Sequence, residues 1–178
     1  MVILGIDPGT NFTGYGVVRY DGNSVYYLAS GVIKLSKEKS IPERLKTIFD
    51  EINRLLLFHK PDGFSIETAF YGKNVQSALK IGYARGVALL SAAENGIVPG
   101  EYSPREIKKA VVGNGNASKE QVKFMVAKLL SIDTNEMLFD ETDALAAAIC
   151  HAFNLNSRTH KNSSWKKFVE SHPERIVE

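Results

Sequence analysis

The chain is poor in the residues that carry the commoner chemistries. Only one of its 178 residues is cysteine, Cys150, so no intrachain disulfide can form. Cys150 stands in an alanine-rich stretch, where a lone cysteine reads as a small buried side chain. No run approaches the roughly 18 apolar residues that span a bilayer. The first residues enter a strand pattern with neither a basic leader nor a cleavable apolar segment. A reducing, cytoplasmic setting without membrane attachment is therefore expected, and the formal glycosylation triplets at Asn11 and Asn162 carry no weight. There is no GxxxxGK[ST] phosphate loop, no CxxC and no HExxH. The four histidines, His59, His151, His160 and His172, are scattered, and His151 reads as a packing or capping residue. No repeat is visible, and the length suits one domain with a proper core.

Charge is nearly balanced overall at +2, but it is not evenly spread. Between Tyr71 and Leu90 the charged residues are Lys73, Lys80 and Arg85, with no acid among them. From Arg105 to Lys128 six bases face only Glu106 and Glu120. From Ser131 to Asp143 the sign reverses, with five acids and no base. Two basic stretches and one sharply acidic one fit a path for a polyanion with a metal centre in it.

Strand patterns come first, then helices and strands alternate. Residues 2–6 form a short apolar strand that Pro8-Gly9 breaks, and Gly14–Tyr20 with Val25–Lys34 read as a hairpin around Asp21-Gly22-Asn23. Ser40 caps a helix whose apolar residues recur at three and four until Pro61. Gly63–Glu67 is the next strand, followed by a helix over residues 74–95. Residues 97–102 form a strand that Pro99-Gly100 marks as an edge. Helices follow at 104–112 and 118–130, and a last one over 140–154. The chain beyond Asn156 has few apolar anchors, so the expected division is one folded domain over 1–156 and a flexible extension over 157–178. Five strands alternating with helices imply an α/β fold: a mixed five-stranded sheet flanked by helices.

Four carboxylates sit where these elements begin or end. Asp7 closes the first strand, Glu67 closes the fourth, and Asp140 and Asp143 open the last helix. In such a sheet ligands gather beyond the carboxyl ends of the strands. Carboxylates gathered in one cleft repel one another unless they take up protons or share a cation, and Mg2+ is the usual hard partner. Each has a plainer reading. Asp7-Pro8-Gly9 can be a simple turn, and Asp140 with Asp143 can be a cap and its third-position partner. Glu67 resists such a reading, because it ends a buried strand.

The motifs are recognisable. Gly5-Ile6-Asp7-Pro8-Gly9, Ile66-Glu67 with Phe70 and Lys73-Asn74, Ser77–Gly82, Ala84-Arg85-Gly86, Tyr102-Ser103-Pro104, Val111-Val112-Gly113, Ala117-Ser118-Lys119 and Asp140–Ala146 closely resemble the RuvC family of Holliday-junction resolvases. The resemblance covers residues 1–154 in order. It implies a ribonuclease H-like fold, a homodimer, a branch-migration motor complex as partner, and paired nicks in four-way junction DNA that leave 5′-phosphate and 3′-hydroxyl ends. It maps the catalytic and metal-binding quartet onto Asp7, Glu67, Asp140 and Asp143. With that quartet, two Mg2+ ions about 3.5–4 Å apart would serve in-line displacement, with Mn2+ as a substitute. Asp7 is the expected bridging ligand, while the roles of Asp140 and Asp143 stay undivided.

Among the DNA-contact residues, Phe70 resembles the aromatic that inserts at the junction core. Lys108 and Lys119 resemble bases that support cleavage, and Lys73, Lys80 and Arg85 are candidates for gripping phosphates. Small residues Ala78, Gly82, Gly86 and Ala93, beside Leu79, Tyr83, Val87 and Leu90, offer the 74–95 helix as a dimer contact. A related nuclease of ribosomal RNA precursors and a junction-binding protein that does not cut are the rival readings. The basic and aromatic motifs oppose the first, and the intact acidic quartet opposes the second.

Overall fold

The computed structural model describes the backbone of residues 1–68 and 75–171 and the side chains of residues 1–68 and 75–155. Strands β1 (Val2–Asp7), β2 (Phe12–Tyr20) and β3 (Val25–Lys34) come first. They are followed by α1 (Ile41–His59), β4 (Gly63–Glu67), α2 (Val75–Glu94), β5 (Pro99–Tyr102), α3 (Pro104–Val112), α4 (Lys119–Leu130) and α5 (Phe139–Ser171). The sheet order is β3-β2-β1-β4-β5, so β1 is central. It pairs antiparallel with β2 and parallel with β4, which in turn pairs parallel with β5. The expected mixed sheet of five strands is what the chain builds.

Local chemistry accounts for most boundaries. The hairpin turns where Gly22 adopts φ 102° and Asp21 Oδ1 accepts from the N–H groups of Asn23 and Ser24. Helix α1 begins where Glu43 reaches back to the Ser40 N–H at 2.8 Å, and it stops at Lys60 in the left-handed region just before Pro61. The same reciprocal capping starts α3 through Ser103 and Glu106, and α4 through Ser118 and Gln121. Strand β5 lies at the sheet edge and begins at Pro99, which has no N–H to give a ladder.

Period two along the strands divides the core into two layers. Leu4, Ile6, Val17, Phe64 and Ile66 face one side and pack on Ile48, Ile52, Leu55, Ala84 and Ala88 of α1 and α2. Ile3 and Val18 face the other side, against α3, α4 and the alanine-rich part of α5. Each fully buried Ile, Leu or Phe contributes about 1.5–3 kcal/mol of transfer free energy.

Helix α5 is longer than expected: it continues through Asn156-Ser157 and Asn162-Ser163-Ser164 to Ser171 rather than ending near Asn154. Its packed first half supplies the costly nucleus, and extension then adds about one hydrogen bond per residue fixed. The segment has neither glycine nor proline before Pro173.

Candidate active site

Three elements deliver the acidic quartet to one place. Parallel pairing sets Ile6 beside Ile66, so Asp7 and Glu67 leave neighbouring strand ends together. Asp7 shares the face of Gly5 and Ile3, two and four residues back, which is the side covered by α5. The helix comes down close because glycines clear its track. A Cβ on Gly5 would stand 2.2 Å from the Ala144 carbonyl oxygen, one on Gly14 1.9 Å from the Asp140 carbonyl oxygen, and one on Gly16 2.7 Å from the Leu145 nitrogen. Gly14 is also the cross-strand partner of Asp7. The backbone of Asp140 therefore rests beside the residue that carries the first carboxylate.

The start of α5 excludes the simple capping reading for Asp140. Thr142 N–H donates to the Leu138 carbonyl, so Leu138 is the cap, and Glu141 Oε1 accepts from the Leu138 N–H at 3.3 Å. Glu141 Oε2 also accepts from Ser30 Oγ at 3.1 Å, tying the helix start to β3. Glu141 thus does the capping, which leaves Asp140 and Asp143 free for the cleft.

The electrostatics of the cleft are those of crowded carboxylates. Burial pushes the Asp7 carboxyl well above its usual range, and the charges of Glu67, Asp143 and Asp140 push it further. Glu67 is pushed up to about 7 by burial and then by Asp143, against the opposing pull of Lys119 and Lys108. Lys119, the first residue of α4, donates from Nζ to Asp143 Oδ2 at 2.7 Å. Asp143 keeps only 15 % of its side-chain surface exposed, so its charge needs that partner. Burial draws the Lys119 ammonium down, but its hydrogen bond to Asp143 and the surrounding carboxylates raise it overall.

The donor set suits a hard divalent cation, since every donor is a carboxylate oxygen and two of the four are held against ionisation. Among the described residues, no group of three or more Asp, Glu, His or Cys side chains is gathered tightly enough to hold an ion as it stands. Mutual repulsion resists such closure, and Lys119 supplies the neutralising charge at Asp143.

The remaining expected residues divide. Lys108 on α3 and Lys119 on α4 border the quartet, as their effect on Glu67 requires. Lys80 and Arg85 lie on α2, which packs on the opposite face of the sheet. Arg85 is paired there with Glu101 of β5. Phe70 and Lys73 lie outside the described residues.

Sequence reasoning passed over Phe139, which is 39 % exposed and directly precedes Asp140. The ammonium groups of Lys119 and Lys123 stand 5.8 and 5.4 Å from its ring centroid. Its signal was an aromatic residue touching the acidic pair in sequence. His151 matches the packing role expected of it. It accepts or donates a 2.9 Å hydrogen bond with the Tyr102 hydroxyl and fills space that side chains at Gly63 and Gly100 would occupy.

A central strand ending in aspartate, a parallel neighbour ending in glutamate and a helix adding two aspartates define a metal-dependent nuclease of the ribonuclease H-like class. Comparison with known proteins gives the family. The family model described as "Crossover junction endodeoxyribonuclease RuvC" matches residues 3–151. A protein of that description from Chloroherpeton thalassium is 42 % identical over 185 residues, covering 99 % of this chain and all of the relative. One from Porphyromonas gingivalis is 44 % identical over 182 residues, covering 98 % and 96 %. The solved structure of Thermus thermophilus RuvC in complex with Holliday junction substrate superposes with a TM-score of 0.84 at 34 % identity, covering 89 % of this chain and 97 % of that one. The chain belongs to the RuvC family of crossover junction endodeoxyribonucleases. It is a metal-dependent, structure-selective endonuclease that resolves Holliday junctions, and the family works with Mg2+.

Proposed function

We propose that the chain works as a homodimer that nicks two strands of like polarity at a four-way DNA junction, with Asp7, Glu67, Asp140 and Asp143 as catalytic and metal-holding residues. The observation that carries this reading is the convergence of four carboxylates from β1, β4 and α5 on one strand-end cleft, where burial and mutual repulsion hold Asp7 and Glu67 above their usual range. Two Mg2+ ions, or Mn2+ in their place, would neutralise this charge and lend Lewis acidity to hydrolysis that leaves a 5′-phosphate and a 3′-hydroxyl.

The chain's own residues supply position. Asp7, between the other acids, would be the ligand shared by the metal ions, Glu67 would hold one, and Asp140 and Asp143 would complete the site. Lys119 donates to Asp143, and its side chain is 59 % exposed, so it can also meet a phosphate beside the acids. Lys108 adds positive potential on the Glu67 side, and Phe139 offers a flat apolar surface at the same rim. Phe70 and Lys73, between β4 and α2, are assigned to the junction core and its flanking phosphate. Lys80 is a phosphate contact on the α2 side; Arg85 has the same role only if it leaves Glu101.

Dimer formation is supported by the outer face of α2. Val75, Leu79, Tyr83 and Leu90 are 71, 53, 47 and 52 % exposed, in register with Gly82 and Gly86, where an added Cβ would meet nothing. Small and apolar residues at helical spacing suit a two-fold contact, which would set two acid centres on one symmetric face. We place the nuclease domain at 1–156 and treat 157–178 as an appendage. We assign the protein to the cytoplasm, in partnership with a branch-migration motor; among the described residues no helix is long and apolar enough to cross a membrane.

The deciding experiment compares a mobile four-way DNA junction, its duplex arms and an RNA–DNA hybrid, each with Mg2+ and with chelator. Paired symmetric nicks in the junction alone, abolished by chelator, are expected. Cleavage of the hybrid in preference to the junction would refute the assignment.

A further inference from the structure

A cleft of about 240 Å3 opens on the opposite side of the β1 tip from the carboxylates, between the start of α1 and the middle of α2. Its rim carries Lys39, Arg44 and Lys80 and no carboxylate; its walls include Ile41 and Tyr83, and Ile48 closes its inner end. Gly9, two residues past Asp7, lines it. Glu43, the nearby acid on α1, spends its carboxylate on the N–H and hydroxyl of Ser40 at 2.8 and 2.6 Å. Arg44 is also committed. Its Nε and Nη2 donate to the carbonyls of Lys39 and Lys37 at 3.1 and 2.8 Å, which fixes the loop that presents Lys39. The exposed lysines Lys39 and Lys80 are left to meet an anion at the mouth.

We propose that this cleft holds one unpaired nucleotide of the DNA strand that is not being cut, with its base inside and its phosphate between Lys39 and Lys80. An apolar interior with a cationic mouth complements a base, which has apolar faces and a charged link to the next residue. The volume is below the roughly 300–1,000 Å3 of sites for drug-sized ligands, and a single nucleotide is a smaller guest. Leu35, Ile41 and Leu45 give an aliphatic wall on which any base can rest, so the site is indifferent to sequence.

The position decides which strand. Gly9 lines the cleft and also adjoins the acids, since an added Cβ there would lie 3.8 Å from Asp140 Oδ1, so the tip of the Asp7-Pro8-Gly9 turn lies between the two sites. One continuous strand at the acids does not turn back around that tip, but at an exchange point two strands diverge and can pass on either side of it. This inference rests on the junction-cleaving reading above and adds a device for holding the junction open.

The test uses the full-length protein and a fixed four-way junction carrying 2-aminopurine at the exchange point, with chelator present so that no strand is cut. Binding of the wild-type protein should brighten the aminopurine as it leaves the stack. Ile41, 44 % exposed at the first turn of α1, can be enlarged without entering the core. Ile41→Trp should fill the cleft, remove the brightening and weaken junction binding roughly tenfold to a hundredfold, while duplex binding stays unchanged. Ile41→Ala should retain the signal. Lys39→Ala should lower the salt slope of junction binding by about one and leave that of duplex binding alone.

No brightening with wild type, a wild-type response from Ile41→Trp, or an equal loss on junction and duplex would each overturn the proposal. Should Ile41→Trp melt at a lower temperature than wild type, Lys39→Ala decides alone, and an unchanged salt slope on the junction overturns it. Wild-type cleavage of the same junction with Mg2+ reports separately on the junction-cleaving reading.

Discussion

Replacing Gly14 by alanine tests how the acid site is assembled. The new Cβ would lie 1.9 Å from the carbonyl oxygen of Asp140 and 2.5 Å from its carbonyl carbon, whereas ordinary contact begins near 3.4 Å. Both atoms are backbone, so no side chain can swing away. Either α5 retreats from β2 by roughly 1 Å or more, or the β1–β2 pair bends. Both carry Asp140 away from Asp7, its neighbour through the Asp7–Gly14 register. A misplacement of about 1 Å at a reacting centre costs on the order of a hundredfold in rate. Overpacking costs about 1–3 kcal/mol in stability, which exceeds the roughly 0.4–1 kcal/mol that alanine returns by restricting the unfolded chain.

The assay is single-turnover cleavage of a four-way junction at saturating Mg2+, paired with thermal melting. We expect Gly14→Ala to cut about a hundredfold more slowly per folded molecule and to melt roughly 2–4 °C lower for each kcal/mol lost. Ile52→Val, a core change in α1 far from the cleft, should destabilise by about 0.5–1.5 kcal/mol with its rate per folded molecule intact. Wild-type cleavage by a well-folded Gly14→Ala protein would refute the view that glycine-cleared contact between α5 and the sheet sets the site.

Asp7→Asn should abolish nicking while junction binding survives, because binding rests on the basic surfaces; near-normal cutting in a junction assay would remove Asp7 from the mechanism. Glu67 predicts a pH effect on metal-free stability. Its folded carboxyl titrates at about 7, above the ordinary 4.5, so the native state is favoured while the proton is bound and loses that advantage as pH rises from 4.5 through 7. Urea melts in chelator should therefore find Glu67→Gln more stable than wild type at pH 8 and no better at pH 5, and a gain at pH 5 alone would contradict the assigned sign. Mg2+ should raise the melting temperature of wild type by relieving carboxylate repulsion, and should do so much less for Asp7→Asn. Gly86→Leu meets open space within the chain, so it should fold normally yet sediment as a monomer if the outer face of α2 is the dimer contact. An unchanged dimer would return that face to solvent.

Much of this protein is written in patterns no longer than a helical turn or a strand. Pro8-Gly9 ends β1 just past Asp7, the capping pairs begin three helices, and Pro99-Gly100 announces an edge strand, because each depends on chemistry between residues close in the chain. The acid positions were legible for the same reason: a charge at the end of a buried strand, as at Glu67, is conspicuous without coordinates. What neighbouring residues could not decide is which distant ones meet.

Only the folded sheet puts β4 beside β1, and only glycines at Gly5, Gly14 and Gly16 let a helix more than 120 residues later settle onto it. Capping at α5 fell to Leu138 and Glu141 once Ser30, from another strand, held Glu141 in place. Lys119 and Arg85 look alike in sequence as bases in basic stretches, yet one is bound to Asp143 at the site and the other to Glu101 across the sheet. A side chain's charge is local information, whereas its partner is chosen by long-range packing, which sets the distances over which charges and backbones can act.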